Sequence, residues 1–262
     1  MNDRKVGFIG YGNMAKAIAS SFVSAPGVSA IGAYDVNANA ADGTAKMYAS
    51  ADRLIAASDV VFVSVKPQSA AEALAGLDFS GRIVISIMAG MNISAVSSLC
   101  GGADKIVRVM PNLCARVGKS VNAYCPSGLT ENEKKDVHEL LSCFGLAAEF
   151  GEEFFDVITG LTGSSPAYTF RYARALTECG VKNGMTFERA RDLSLYCVAA
   201  CMDVLASSRS LDEMQTTIDN VCSKGGTTIE GIRVLDKGGF DELVEGAVNA
   251  AIARSRQLGE KK

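Results

Sequence analysis

The chain has 262 residues, 48% of them hydrophobic and 21% charged, with a formal net charge of -3. That length and apolar content suffice for one large or two modest domains with a buried core. The slightly acidic balance, with no Lys/Arg cluster beyond Lys261-Lys262, lacks the footprint of a nucleic-acid binder; no run is long and apolar enough for a membrane span. No signal-type segment opens the chain, so the expected setting is the cytoplasm and the expected partner a small molecule. The 8 cysteines are scattered without C-x-x-C spacing and a single histidine is available, so no metal site is expected and most thiols read as buried. His138, in a charged helical segment, reads as a solvated surface residue.

Lys5 to Ser20, KVGFIGYGNMAKAIAS, predicts a strand, a tight turn and a helix. Gly10, Gly12 and Ala15 have the G-x-G-x-x-A spacing that lets a dinucleotide pyrophosphate approach the backbone, and the helix opening at Asn13 offers N–H groups to it. Ala30 to Tyr34 reads as the second strand, and Asp35 at its end lies about twenty-five residues past Gly10, where a carboxylate can accept from the adenine ribose hydroxyls. Its charge, with no arginine close behind it, leans the cofactor toward NADH; the alternative is that Asp35 caps the following helix, with Asn37 and backbone groups accommodating a 2′-phosphate.

Asp59 to Val65, Arg82 to Ile87 and Lys105 to Met110 are near-continuous apolar runs of the kind found in parallel strands buried on both faces. They end in Lys66-Pro67-Gln68, Met88-Ala89-Gly90 and Pro111-Asn112, so three junctions converge on one edge. Lys66 and Asn112 there read equally well as exposed loop residues or as ligand contacts. Thr130 and Glu133 have capping-box spacing before an amphipathic helix to Phe144, and Ala147 to Phe150 predicts one more strand.

From about Glu153 onward the patterns are helical. Gly160 to Ser165 is the expected boundary, dividing residues 1–159 from residues 160–262, and Pro166 is placed to open a helix to about Cys179. Thr186 to Ser207 carries an apolar stripe through Ala190, Leu193, Cys197, Val198, Cys201, Val204 and Leu205, read as core or subunit interface. A second capping pair, Ser210 and Glu213, opens a helix ending near Val221. Cys222 to Gly231, CSKGGTTIEG, holds a third, Thr227 and Glu230, placing Thr228 in the first turn of a helix behind Gly225 and Gly226. That stretch is either a plain capped turn or an anion site with a threonine hydroxyl beside it.

In order, GFIGYGNMA, VKPQ, SIMAG, RVMPN, TGLTGSSPAY and above all DNVCSKGGTTIEGI with KGGF resemble pyrroline-5-carboxylate reductase almost end to end. The resemblance implies an α/β Rossmann domain, with a doubly wound, mostly parallel sheet, followed by an all-α C-terminal domain that builds a homodimer and commonly a higher homo-oligomer. It implies reduction of 1-pyrroline-5-carboxylate to L-proline, the last step of proline biosynthesis, with NADPH or NADH as hydride donor.

On matching positions it implies that Gly10, Tyr11, Gly12, Asn13, Met14, Asp35, Val65, Lys66, Pro67, Ala89 and Asn220 contact the cofactor. Ser223, Gly225, Gly226, Thr227 and Thr228, with Glu152 nearby, would hold the substrate, and Thr228 would hydrogen-bond the imine nitrogen. The chain departs from the family pattern at Ser165 (a glycine), Lys224 (a proline), Leu113-Cys114 (Thr-Pro) and Ala51 (often asparagine). Competing readings are a reductase of another cyclic imine acid, a hydroxyacid dehydrogenase and a non-catalytic nucleotide sensor.

Overall fold

The computed structural model describes residues 3–260. Its N-terminal part is an 8-stranded sheet in the order β3-β2-β1-β4-β5-β6-β7-β8. In chain order the elements are β1 (Arg4–Ile9), α1 (Asn13–Phe22), β2 (Val28–Tyr34), β3 (Lys46–Met47), α2 (Ala51–Ala56), β4 (Val60–Val63), α3 (Ala70–Leu74), β5 (Ile83–Ser86), α4 (Ile93–Leu99), β6 (Ile106–Met110), β7 (Ser120–Ser127), α5 (Glu131–Ser142) and β8 (Gly145–Glu149). Neighbouring strands run parallel except β6 and β7, which are antiparallel. This is the doubly wound, mostly parallel sheet expected.

Successive strand residues point to opposite faces, and both faces are covered. Along β4, Val60 and Phe62 join one buried cluster with Ile18 and Phe22 of α1 and Leu140 of α5. Val61 and Val63 join another with Leu54 of α2, Leu74 of α3 and Val96 of α4. That is why β4, β5 and β6 read as continuous apolar runs. Phe8 and Phe62 stack with centroids 4.9 Å apart, and each such ring contributes roughly 1.5–3 kcal/mol by leaving water. β1 lies between β2 and β4, so the chain crosses to opposite sides of β1 and a crevice opens at the carboxyl ends of these strands.

β3 and β7 are not foreseen in the sequence. β7 carries Asn122 fully buried and Pro126 opposite Val107, and a proline inside a polar-spotted run argues against a strand until its pairing is seen. The expected boundary at Gly160 to Ser165 is not an open linker. After α6 (Phe155–Ile158), Thr159–Gly163 forms a π-helical turn that leads into α7 (Ser165–Lys182), three residues beyond the expected end. The compact units part at Pro166, and the stretch from Asn249 clusters with the first unit.

The second unit holds most of α7, then α8 (Phe187–Leu205), α9 (Leu211–Val221), α10 (Thr227–Lys237) and the start of α11 (Phe240–Glu260). Of α8 only Ala190 is buried, while Leu193, Tyr196 and Val204 are 62%, 80% and 60% exposed. The apolar stripe is therefore not core of this unit. Among the described residues no helix is long and apolar enough to cross a membrane.

Candidate functional site

The turn after β1 is built against the end of β4. Gly10 has φ +84°, and a Cβ there would lie 2.8 Å from Val65 Cγ1 and 2.9 Å from Val65 N, so a side chain is excluded by both conformation and space. Gly10 N donates to Tyr34 O at 2.9 Å, which ties the turn to β2 as well. Gly12 then takes the N-cap position of α1 in extended conformation without a side-chain cap, and a Cβ on it would meet nothing within 4 Å. The first-turn N–H groups of α1, from exposed Asn13 and half-buried Met14 onward, can serve a phosphate. This cradle fits a dinucleotide.

Tyr11 is buried and its hydroxyl donates to Asp42 Oδ1 at 3.2 Å. Burial, then the Asp42 charge, pushes the phenol well above its ordinary range, so Tyr11 acts as an anchor and its backbone is the part available to a ligand. Tyr11 N donates to Asp35 Oδ2 at 2.6 Å, and Asn37 N donates to Asp35 Oδ1 at 2.8 Å. Asp35 thus fixes the glycine turn and its own loop while still lining the crevice; it does not cap a following helix, because the N-cap of the short helical turn that comes next is Asn37. Asp35, Gly10, Ala51, Val65, Ser69 and Glu72 line a cleft of about 410 Å³ there. Exposed Lys66 precedes a short turn, Pro67–Ser69, that Pro67 opens.

Ala89 is half-buried against Met110 and Phe155, and Gly90 beside it has φ +72°. A Cβ on Gly90 would come 2.7 Å from Leu258 Cβ, so the last turns of α11 lie directly on this loop. Ser255 Oγ donates to Asp156 Oδ1 at 2.6 Å beside it. Glu152 Oε1 accepts from Ile93 N at 2.7 Å and from Arg108 Nη1 at 3.0 Å. Arg108 is buried, with its guanidinium 4.4 Å from the Phe155 ring centroid. Sequence reasoning did not single Arg108 out, although a cation inside the apolar run KIVRVM was the available signal.

Asn112 is not the exposed loop residue that was one of its two readings. It is buried; its Nδ2 donates to Thr162 O at 3.1 Å, and its N donates to Ser120 Oγ at 2.9 Å. It joins the end of β6 to the π-helical turn. His138 is exposed and meets the Tyr124 hydroxyl at 3.1 Å.

In the second unit, Gly226 is the N-cap of the 11-residue α10 and no side chain caps it. The capping box expected of Thr227 and Glu230 does not form, because Thr227 is already the first helical residue and Glu230 pairs with Arg233. Gly226 N donates to Ser223 O at 2.9 Å, closing a turn through Lys224 and Gly225, and a Cβ on Gly226 would lie 2.4 Å from Ser223 Oγ. The hydroxyls of Ser223, Thr227 and Thr228 are exposed around a helix start whose N–H groups await an acceptor. Asn220 stands exposed one turn back, on α9. Gly10 to Met14, Asp35, Val65 to Pro67, Ala89 and Glu152 thus lie in the first unit, and Asn220 with Ser223 to Thr228 in the second.

Two family profiles match the chain: one described as pyrroline-5-carboxylate reductase dimerisation at residues 152–258, the other as NADP oxidoreductase coenzyme F420-dependent at residues 5–90. The pyrroline-5-carboxylate reductase of Aquifex aeolicus is 38% identical over 264 residues, covering 97% of each chain. A crystal structure of Plasmodium falciparum pyrroline carboxylate reductase with NADP bound superposes with a TM-score of 0.93 at 30% identity, covering 99% of each chain. The Streptococcus pyogenes 1-pyrroline-5-carboxylate reductase gives 0.89 at 29% identity, covering 97% of this chain and 98% of that one.

Proposed function

The chain belongs to the pyrroline-5-carboxylate reductase family, and we infer that it is the NAD(P)H-dependent oxidoreductase that reduces 1-pyrroline-5-carboxylate to L-proline. The observation that carries the substrate side is the start of α10, an uncapped helix end ringed by Ser223, Thr227 and Thr228. A helix N-terminus with nearby hydroxyls suits a small carboxylate that also carries a polar nitrogen.

When bound, the reduced nicotinamide supplies the hydride. The residues of this chain then have to hold, orient and protonate. The turn from Gly10 through Tyr11, Gly12, Asn13 and Met14 holds the pyrophosphate, Asp35 faces the adenine ribose, and Val65, Lys66, Pro67 and Ala89 bound the remaining length of the cofactor. Ser223, Gly225, Gly226 and Thr227 take the substrate carboxylate on backbone N–H and hydroxyl groups. Thr228 hydrogen-bonds the imine nitrogen, which sets the C=N bond in the near-attack orientation on which hydride transfer depends. The first compact unit supplies the cofactor half and the second the substrate half.

The region matched to the dimerisation family explains the exposed stripe on α8, and we assign it to a homodimer interface that supports a larger homo-oligomer. All 8 cysteines are free thiols, in keeping with a reducing cytoplasm, but only Cys100 is buried while Cys179, Cys197 and Cys201 are exposed, which corrects the expectation of mostly buried thiols. The test is oxidation of reduced nicotinamide with 1-pyrroline-5-carboxylate, the six-membered piperideine analogue or no imine. Turnover of the five-membered imine with L-proline as product supports the reading. Turnover of the six-membered ring alone, or of neither, overturns it.

A further inference from the structure

We propose that the adenosine cleft of this chain selects NADH and rejects a 2′-phosphate, with Asp35 as the discriminating residue. The proposal rests on the assignment of the first unit as the cofactor half and goes beyond it by naming which dinucleotide that half takes.

The cleft at the carboxyl ends of β1, β2 and β4 is walled by acids. Asp35 comes from the end of β2, Asp52 from the first turn of α2 and Glu72 from the first turn of α3. Among the described residues that line it there is no lysine or arginine. After Asp35 the chain has no cation until Lys46, whose ammonium sits 5.1 Å from the Tyr48 ring centroid. Asn37, the loop's own polar side chain, has its carbonyl engaged with Asn39 N at 3.0 Å.

Asp35 is also held still. Each of its oxygens accepts a backbone N–H, from Tyr11 at 2.6 Å and Asn37 at 2.8 Å, so the carboxylate cannot swing out of the cleft without losing both bonds. The remaining lone pairs of such a carboxylate accept readily from ribose hydroxyls. A phosphate in place of the 2′-hydroxyl is largely deprotonated at neutral pH, and it adds about -1.5 to -2 charges to a space already bounded by carboxylates. The relative with NADP bound shares the fold and 30% of its residues, so the discrimination is a property of these side chains and not of the architecture.

Calorimetric titration without imine tests the proposal independently of turnover, and it also suits a chain with no tryptophan to report binding. The full-length protein is titrated with NADH, NADPH, 5′-ADP and 2′,5′-ADP. We expect NADH to bind roughly tenfold or more tightly than NADPH, with the two ADP fragments showing the same order, as repulsion of 1.4 kcal/mol or more requires. Asp35→Asn should narrow the ratio to within about threefold, by the loss of that like-charge repulsion. Since that variant also disturbs the Tyr11 and Asn37 bonds, the pair Asp52→Asn, Glu72→Gln is measured beside it and should raise NADPH affinity relative to NADH. Equal or tighter binding of NADPH by the wild type, or an NADH preference that survives in both variants, overturns the proposal. If NADH binds selectively but no imine is reduced, the substrate reading fails while this one stands. Binding of neither dinucleotide overturns both.

Discussion

Glu152 and Arg108 meet at 3.0 Å, with the arginine side chain 7% exposed and the glutamate 34% exposed. The same carboxylate oxygen accepts from Ile93 N, so one side chain both neutralises a buried cation and completes the start of α4. Glu152→Ala should leave Arg108 uncompensated and destabilise the protein by about 1–3 kcal/mol, less than for a fully buried pair because water reaches the glutamate. Glu152→Gln, which keeps an acceptor, should cost about half as much. Urea unfolding of the three proteins decides it, and an alanine variant as stable as wild type refutes the arrangement.

Thr228→Val should fold normally, bind cofactor as before and lose roughly tenfold to a thousandfold in kcat, the range for one well-placed hydrogen bond in the transition state. Full activity in a folded Thr228→Val enzyme would remove Thr228 from the mechanism.

Gly226→Ala separates substrate from cofactor binding. The added Cβ would come 2.4 Å from Ser223 Oγ, so the serine must rotate away from the start of α10. KM for the imine should rise roughly tenfold on loss of that one contact while the cofactor Kd holds. A matching loss in both would show that the turn serves the cofactor instead.

Gly90→Ala meets a backbone at φ +72° and a Cβ 2.7 Å away on Leu258. The expected cost is about 1–3 kcal/mol in stability, together with weaker cofactor binding through the displaced Ala89 loop. Thermal unfolding and dinucleotide titration of the variant measure the two effects separately.

Acid stability should depend on Glu133. A hydrogen bond from Lys105, then the backbone of Thr130, brings its carboxyl from the ordinary 4.5 down to about 2. Because the folded value is depressed, its contribution is present above the unfolded value and fades as pH falls from about 4.5 toward about 2. Glu133→Gln should flatten the fall in stability over that window and leave the shape of the curve near neutrality unchanged. An identical acid limb in wild type and variant would contradict this.

Much of this molecule could be read without coordinates, for physical reasons that also mark where reading stops. Gly10, Gly12 and the runs ending in Val65 and Ile87 declare themselves because a buried parallel strand and a phosphate turn each tolerate few residue types. β7 stays hidden because what holds it lies elsewhere in the chain: Asn122 Nδ2 donates to Leu141 O on α5, and Pro126 sits opposite Val107 on β6. Asn112 illustrates the same limit, since its partner Thr162 is fifty positions away and in a π-helical turn that spacing does not announce. At Thr227 the local rule misleads outright: a good N-cap residue is passed over because Gly226 takes the position.

Helices α1 and α10 both begin at glycines, where many others in this chain begin at an asparagine, serine or threonine whose oxygen closes the first turn. Relative to glycine such a closure is worth only a few tenths of a kcal/mol, so the unliganded protein forgoes a small stabilisation at two places that its own sequence supplies elsewhere. In the function proposed above, the cofactor phosphates and the substrate carboxylate would act there as removable caps. Thermal stability therefore becomes a readout of occupancy, and a ligand at a hundred times its Kd adds about 2.7 kcal/mol.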